Sequence, residues 1–514
     1  MYLTQGLHRS LRTNPHAVAV TGERGSVTFA DLADRVSRLA SGLLGLGLRS
    51  GDRVGILSAN SSEYLEVALA CPWAELVLTP VNSRWSPAEI AYQIDDADVS
   101  VLIVDSDSVG AGGALRDRCP VLTTLVSTGD PAPGLVGYED LIDCSAPMED
   151  RRLSGDALAA ILYTGGTTGE PKGVMISPGQ LITSAVGTLA TMAAERGPNR
   201  FLHTSPLYHL AALASFYQQV TLGSHHFTVP EYDTASVAEL IERERITGTT
   251  LVPVMIQRLV AHSGATGCDL SSLRLLGYGA SPISESTLRA LLDLLPEVQL
   301  CQRYGMTELG PVATVLTPGD HRDPSRPHLL RSAGRAALHA EVRVVDGEDR
   351  ELPTGQVGEV VVRGGHLMIG YWKKPEQTAE TLRGGWMHTG DAGYFDDEGY
   401  LYLVDRFKDM IVTGGENVYS AEVERVLEQH PRVSACAVIG VPDPDWGERV
   451  HAVVVLGPGK VPEPTVREIR AFCAERIARY KAPHTVDFVP QLPLSAVGKV
   501  LKRTLREQYA APGQ

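Results

Sequence analysis

Tyr163-Thr-Gly-Gly-Thr-Thr-Gly-Glu-Pro-Lys-Gly173 follows directly on the apolar run from Ala157 to Leu162. A buried strand that ends in such a turn brings backbone N–H groups close to whatever binds there. The threonine hydroxyls add donors and Lys172 adds positive charge, a combination that suits a polyphosphate. A Walker A loop is excluded, because G-x-x-x-x-G-K-[ST] must lead into a helix, whereas here Glu170 and Pro171 intervene and Gly173 follows the lysine. On this stretch alone, a phosphate cradle and a plain glycine-rich turn are both open.

On the N-terminal side, residues 29, 32, 33, 36, 39, 40, 43 and 44 are apolar at helical spacing, and Val54-Gly-Ile-Leu57 then reads as a strand. Helices over 61–74 and 87–95 alternate with strands over 77–81 and 101–104. Alternation of this kind predicts parallel sheets covered by helices. Shorter β segments at 341–346, 359–363 and 400–404 predict a β-rich subdomain. After Asp405 a compact α+β pattern begins: helix 421–429, strands 433–439 and 451–456, helix 465–479, strand 484–489 and a last helix from Lys499. The expected fold class is α/β, with a large N-terminal domain over 1–405 and a small α+β C-terminal domain over 406–514.

A chain of 514 residues exceeds what one hydrophobic core spans, in keeping with that division. With 43% hydrophobic and 21% charged residues, the composition is that of an ordinary globular protein and excludes disordered, collagen-like and disulfide-framework classes. The balance of 46 basic to 61 acidic residues argues against broad nucleic-acid or anionic-membrane binding, while a local phosphate site remains compatible with it. Seven cysteines without a CxxC pair read as ordinary buried thiols in a reducing compartment. The N-terminus lacks the features of an export peptide and no run of 18 apolar residues occurs, so no transmembrane segment and a cytoplasmic location are expected.

The glycine-rich stretch is one of six elements in order, with Tyr304-Gly-Met-Thr-Glu308, Thr389-Gly-Asp391, Asp405-Arg-Phe-Lys-Asp409, Gly414-Gly-Glu-Asn417 and Gly498-Lys499. From about residue 25 to 506 this set resembles the adenylate-forming superfamily of acyl-CoA synthetases, peptide-synthetase adenylation domains and luciferases, and most of all the acyl-CoA ligases. Lysine usage points the same way: only eight of the 46 basic residues are lysines, and Lys172, Lys408 and Lys499 all fall inside these elements.

The resemblance implies two half-reactions. A carboxylate attacks the α-phosphate of ATP to give acyl-AMP and pyrophosphate, and a thiol then attacks the acyl carbon and expels AMP. Because the carboxylate and the triphosphate repel each other, Mg²⁺ and at least one lysine are expected where charge accumulates. By the family pattern Thr164, Gly165, Gly166, Thr167, Thr168 and Lys172 hold the β- and γ-phosphates, Thr307 faces the phosphates, and Glu308 holds Mg²⁺. Gly279, Ala280, Ser281 and Tyr304 form the adenine slot, Asp391 takes the ribose hydroxyls, and Arg406 supports ribose or phosphate. Lys499 occupies the place of the adenylation lysine. The C-terminal domain is implied to rotate about Lys408 between the two steps. Arg84, Gly414, Gly415 and Trp446 resemble a CoA-binding set.

For the acid, the resemblance puts His209 near the carboxylate and Ala211, Ala212, Leu213, Phe216, Val254, Tyr278 and Gly305 around the acyl group. Small residues and the absence of lysine or acid from these segments predict an apolar acid larger than acetate: medium- or long-chain, aromatic or polycyclic. An amino-acid substrate would need a buried aspartate for its ammonium, and Tyr208 to Phe216 contains none. The expected activity is that of an ATP- and CoA-dependent acid–thiol ligase, with a homodimer compatible. Loading of a separate carrier-protein thiol and a non-catalytic nucleotide-binding scaffold are the alternatives.

Overall fold

The computed structural model describes residues 1–130, 133–164, 171–192, 199–281, 283–406, 409–413, 416–444, 446–457, 464–495 and 500–510. The chain forms two compact units, one of Met1–Val342 with Val362–Met387, the other of Arg343–Val361 with His388–Gln514.

In the first unit one sheet runs, edge to edge, Gly370–Tyr371, Lys172–Ile176, Ala160–Thr164, Val77–Pro80, Arg53–Leu57, Val99–Val104, Thr124–Ser127 and Val136–Gly137. Its centre is parallel, as the alternation predicts, with Arg53–Leu57 between Val77–Pro80 and Val99–Val104 and helices Ser62–Trp73 and Pro87–Asp96 as crossovers. The second of these helices begins with Pro87 at its first turn and a capping box between Ser86 and Glu89, a start that local chemistry specifies. The edge carrying the glycine-rich stretch departs from the parallel rule. Ala160–Thr164 and Lys172–Ile176 pair antiparallel with Thr164 opposite Lys172, and Gly370–Tyr371 adds antiparallel beyond them. A connection this short cannot make a parallel crossover, which needs a dozen or more residues.

The other sheet of this unit runs Arg335–Ala336, Thr314–Leu316, Gln299–Tyr304, Leu275–Gly279, Gly248–Leu251, Arg200–His203, His225–Thr228, Val18–Gly22 and Gly25–Thr28. Leu276, Tyr278, Leu251, Ile256, Leu288 and Leu300 belong to a core on one of its faces. The helix Gln5–Thr13 and the hairpin Val18–Gly22 with Gly25–Thr28 were not read from the sequence; each element spans nine residues or fewer, and the helix has only two leucines.

The second unit carries the β-rich segment, as strands Glu341–Val345, Gly358–Arg363, Met387–Phe395 and Leu401–Arg406, and the tail. In the tail, Val433–Asp443 and Gly447–Leu456 form a long hairpin, and the free edge of Gly447–Leu456 pairs with Ile411–Thr413 at Gly447, itself paired with Glu416–Val418, and with Thr485–Phe488 along 451–454. Alternation along the hairpin buries both faces: Val438 and Val450 pack with Val423 and Ile469, while Ile439 and Val453 pack with Leu492 and Leu505. The expected helix 465–479 ends at Ala474, ahead of Pro483, and the last helix is Lys502–Ala510. The cysteines are free thiols; Cys71, Cys119, Cys301, Cys436 and Cys473 are buried and Cys144 is exposed. Among the described residues no helix is long and apolar enough to cross a membrane.

Two histidines lie in adjacent strands of the second sheet of the first unit, Arg200–His203 and His225–Thr228. His203 and His226 are 3% and 2% exposed, with Nε2 of one 3.0 Å from Nδ1 of the other, and Phe216 stands edge-on to His226. A neutral pair satisfies this contact, since one nitrogen donates and the other accepts. Burial pushes His203 down to about 3 and His226 well below its usual 6.5. Both therefore stay neutral in the fold while the unfolded chain protonates, so their contribution is complete above pH ~6.5 and is lost as pH falls, at up to ~1.4 kcal/mol per pH unit per histidine. His226→Gln is expected to flatten the dependence of unfolding free energy on pH between about 6.5 and 4.5 by close to one proton. Urea titrations at stepped pH measure this, and an unchanged slope would show that His226 already protonates in the fold.

Candidate active site

The hairpin that carries the glycine-rich stretch leaves Thr164 and Lys172 directly opposite each other at its mouth. Lys172 extends over the ring of Tyr371, with Nζ 5.0 Å from the ring centroid. The Tyr371 hydroxyl donates to Oε1 of Glu308 at 2.9 Å. Glu308 is only 6% exposed, in a short 3₁₀ turn Thr307–Leu309, and its carbonyl accepts from Met368 N at 2.9 Å. Burial, followed by the neighbouring Glu308 charge, pushes the Tyr371 hydroxyl far above its ordinary value, so it remains a donor at physiological pH. The segment bearing Tyr371 is fastened on both sides: Ile369 N donates to Met175 O, Trp372 N to Gly173 O, and the Trp372 indole to Asp96 O. Gln180 Nε2 donates to the carbonyl of Leu367. A buried carboxylate of oxygen donors near a lysine matches the chemistry of a hard divalent cation beside phosphates.

Gly279 ends its strand opposite Arg303, and a Cβ at 279 would collide with the Arg303 carbonyl oxygen, so only glycine permits the two strands this approach. Ala280 follows with φ +68°, a left-handed conformation that a side chain adopts only under constraint, and Ser281 is half-buried. Tyr304 terminates the neighbouring strand, its carbonyl accepting from Ala313 N at 2.9 Å. The turn at 279–281 and Tyr304 thus follow the paired residues Gly279 and Arg303 on two adjacent parallel strands.

In the second unit Asp391, 8% exposed, pairs across the sheet with Arg406. The turn before Asp391 is braced by Glu359, which accepts from Gly390 N at 3.0 Å and lies 2.9 Å from His388 Nδ1, and by Thr389, whose hydroxyl donates to Val360 O. Trp446 sits at the hairpin tip, 51% exposed, 5.9 Å from the His484 ring. Lys499, Gly165, Gly166, Thr167, Thr168, Lys408, Gly414 and Gly415 lie outside the described residues.

The residues expected around CoA and the acyl group are placed less uniformly. Arg84 is held at the surface by Glu231 at 3.1 Å. His209 caps the helix Leu210–Leu222 and leans on the Tyr208 ring at 4.6 Å. Ala211 is exposed and Val254 half-buried, whereas Ala212, Leu213 and Phe216 are buried, Phe216 against the histidine pair. Tyr278 requires a correction: it lies in the core on one face of its strand, with its hydroxyl 2.7 Å from His321 Nε2, because side chains alternate and the opposite face belongs to Gly277. Gly305 also reads differently. A Cβ there would collide with the Pro311 carbonyl, so a larger residue displaces backbone before it narrows any pocket.

Tyr371, Gln180 and Glu359 escaped the sequence reading. A faint signal exists for the first, since Tyr371-Trp372 between Gly370 and Lys373 places two aromatics where a strand edge would need few. Gln180 reaches the Leu367 carbonyl, and Glu359 reaches Gly390 N and the His388 ring, contacts that spacing does not reveal.

Residues 7–372 match the AMP-binding enzyme family and residues 422–499 the AMP-binding enzyme C-terminal domain. A feruloyl-CoA synthase of an Amycolatopsis species is 38% identical over 98% of both chains. A fatty acid–[acyl-carrier-protein] ligase of Streptomyces coeruleorubidus is 35% identical over 96% of this chain and 94% of its own length. Among solved structures, the amide bond synthetase of Marinactinospora thermotolerans superposes with a TM-score of 0.88 at 34% identity, covering 99% of this chain and 100% of that one. The chain belongs to the AMP-binding enzyme family, the adenylate-forming superfamily, and is an enzyme of the acyl-CoA synthetase class.

The Tyr371 hydroxyl gives this site its first test. A hydrogen bond to a charged group contributes about 1.5–3 kcal/mol, so Tyr371→Phe is expected to raise the Mg²⁺ concentration for half-maximal pyrophosphate release by about tenfold or more. If the ring only packs, the variant will titrate like the parent.

Proposed function

We infer that this enzyme activates an apolar carboxylic acid larger than acetate as its acyl-AMP and transfers the acyl group to CoA, releasing AMP and pyrophosphate. The observation that carries this reading is the Lys172–Tyr371–Glu308 arrangement, in which one tyrosine has a cation over its ring and a buried carboxylate at its hydroxyl, next to the glycine-rich hairpin. In this scheme Thr164 and Lys172 bind the terminal phosphates, Thr307 faces them, and the Gly279–Ser281 turn and Tyr304 enclose the adenine. Asp391 accepts from the ribose hydroxyls. Glu308 would hold Mg²⁺, which when bound neutralises phosphate charge. His209 borders the carboxylate of the acid. Lys499 donates to the oxygens where the acid and the α-phosphate meet, the point of greatest charge build-up.

For the second half, Lys499 must withdraw before a thiol can approach, and a pivot at Lys408 supplies that exchange. The exposed indole of Trp446 offers a flat face for the adenine of CoA. The relatives' names span a CoA thioester, a carrier-protein thioester and an amide, so the acceptor is the feature that needs direct measurement.

A panel of acids from acetate to C12 and ring acids, assayed by pyrophosphate release and by product mass with CoA, a carrier protein or an amine supplied, tests both halves. Pyrophosphate release with no acid in the panel would overturn the reading, and thioester formation on the carrier alone would replace CoA as acceptor. Lys499→Ala is expected to slow acyl-AMP formation by about two to three orders of magnitude while thioester formation from supplied acyl-AMP largely survives. Equal loss in both half-reactions would contradict this division of labour.

A further inference from the structure

The helix Pro87–Asp96 ends on an aspartate, and two more acids, Asp95 and Asp98, lie beside it in the chain. Carboxylates at a helix C-terminus run against the macrodipole, and the last carbonyls there need donors. Arg53 meets that need at Ala97 O and Asp98 O, at 2.8 and 3.2 Å, and Lys373 pairs with the Asp98 carboxylate at 3.0 Å. Asp96 is answered differently. Its carboxylate accepts from the Tyr163 hydroxyl at 2.5 Å and its carbonyl from the Trp372 indole at 2.8 Å, and among the described residues no cation stands within ion-pair distance of it.

Both donors lead to Gly173, the residue after Lys172 in the glycine-rich hairpin. Tyr163 stands opposite Gly173 in the register, and a Cβ at 173 would come within 3.0 Å of Tyr163 Cζ, so the missing side chain gives the ring its path towards Asp96. Trp372 N donates to Gly173 O at 2.8 Å. The Tyr163 ring also packs against the core cluster that Ile90 and Ile94 of the same helix join. Burial, followed by the Asp96 carboxylate, pushes the Tyr163 hydroxyl far above its ordinary value, so it stays a donor. One residue at a helix end thus receives, on its side chain and on its main chain, the two aromatic groups that grip the hairpin next to Thr164 and Lys172.

We propose that Asp96 is a positioning residue for ATP: through Tyr163 and Trp372 it fixes the angle at which the hairpin presents Thr164 and Lys172 to the terminal phosphates. The inference rests on the phosphate-binding reading of those two residues given above. It adds to that site a residue 67 positions ahead of Tyr163 and gives a reason for an acid where the helix dipole disfavours one. Because Gly279 and Tyr304 belong to the other sheet, the effect falls on the phosphates and spares the adenosine.

Calorimetric titration of the whole enzyme with ATP plus Mg²⁺, and separately with AMP, compares the parent with Asp96→Asn, Asp96→Ala, Tyr163→Phe and the double variant of the last two. Losing a hydrogen bond to a charged group predicts that Asp96→Ala and Tyr163→Phe each weaken ATP about tenfold, with AMP affinity unchanged. The double variant is expected to bind ATP no more weakly than either single one, since both remove the same contact. Asp96→Asn keeps an acceptor oxygen and should hold ATP like the parent. A residue that only stabilises the fold would lower the thermal transition and leave the ratio of ATP to AMP affinity where it was. That ratio, unchanged in Asp96→Ala and Tyr163→Phe, overturns the proposal. If Asp96→Ala does not fold, Tyr163→Phe against Asp96→Asn decides the same point. A parent that binds ATP yet releases pyrophosphate with no acid would sink the acid-activating reading and leave this comparison standing.

Discussion

The hydroxyl of Tyr371 pointing at the buried Glu308 carboxylate is the contact on which the rest of the first unit's site depends. A carboxylate taken out of water is tolerated only when donors meet it. The donor here comes from a two-residue strand, Gly370–Tyr371, that exists because it pairs with the edge of the glycine-rich hairpin. The same ring lies under Lys172. One tyrosine therefore holds a negative group and a positive group at a set distance, and the hairpin that binds one cannot shift without disturbing the turn that carries the other.

Glycine does different work at three points near this site. Gly279 allows two parallel strands to approach until one carbonyl fills the space of a side chain, and the strained Ala280 follows from that approach. Gly305 accommodates the Pro311 carbonyl, so its smallness serves the loop after Glu308 rather than the volume of a pocket. Gly277 lets polar side chains from both neighbouring strands close in, since a Cβ there would be 2.9 Å from Thr250 Oγ1 and 3.5 Å from the Arg303 guanidinium carbon. A glycine in a motif thus says that something comes close without saying what.

Short-range chemistry was the part most legible from residue order. The start of the helix at Pro87 follows from Ser86 and Glu89, and the helix–strand alternation from Phe29 to Val104 follows from apolar spacing. The antiparallel edge at Thr164 and Lys172 could have been read too, since so short a connection forbids a crossover. The brief strands Ile411–Thr413 and Glu416–Val418 could not, because segments of three residues carry no measurable periodicity, and the first joins the sheet only through Gly447.

By itself the sequence determined the family and the α/β class with a large N-terminal and a smaller C-terminal part, because six ordered motifs and the helix–strand alternation are written in local residue order. Tertiary structure alone decided that Tyr371, more than 60 positions from Glu308, supplies its hydrogen bond, that Tyr278 turns into the core onto His321, and that Arg303 reaches the amide of Gln218. Each of those outcomes depends on which strand lies beside which and which face a residue takes. Pairing partners and facing helices are properties of the assembled sheet, not of the chain order.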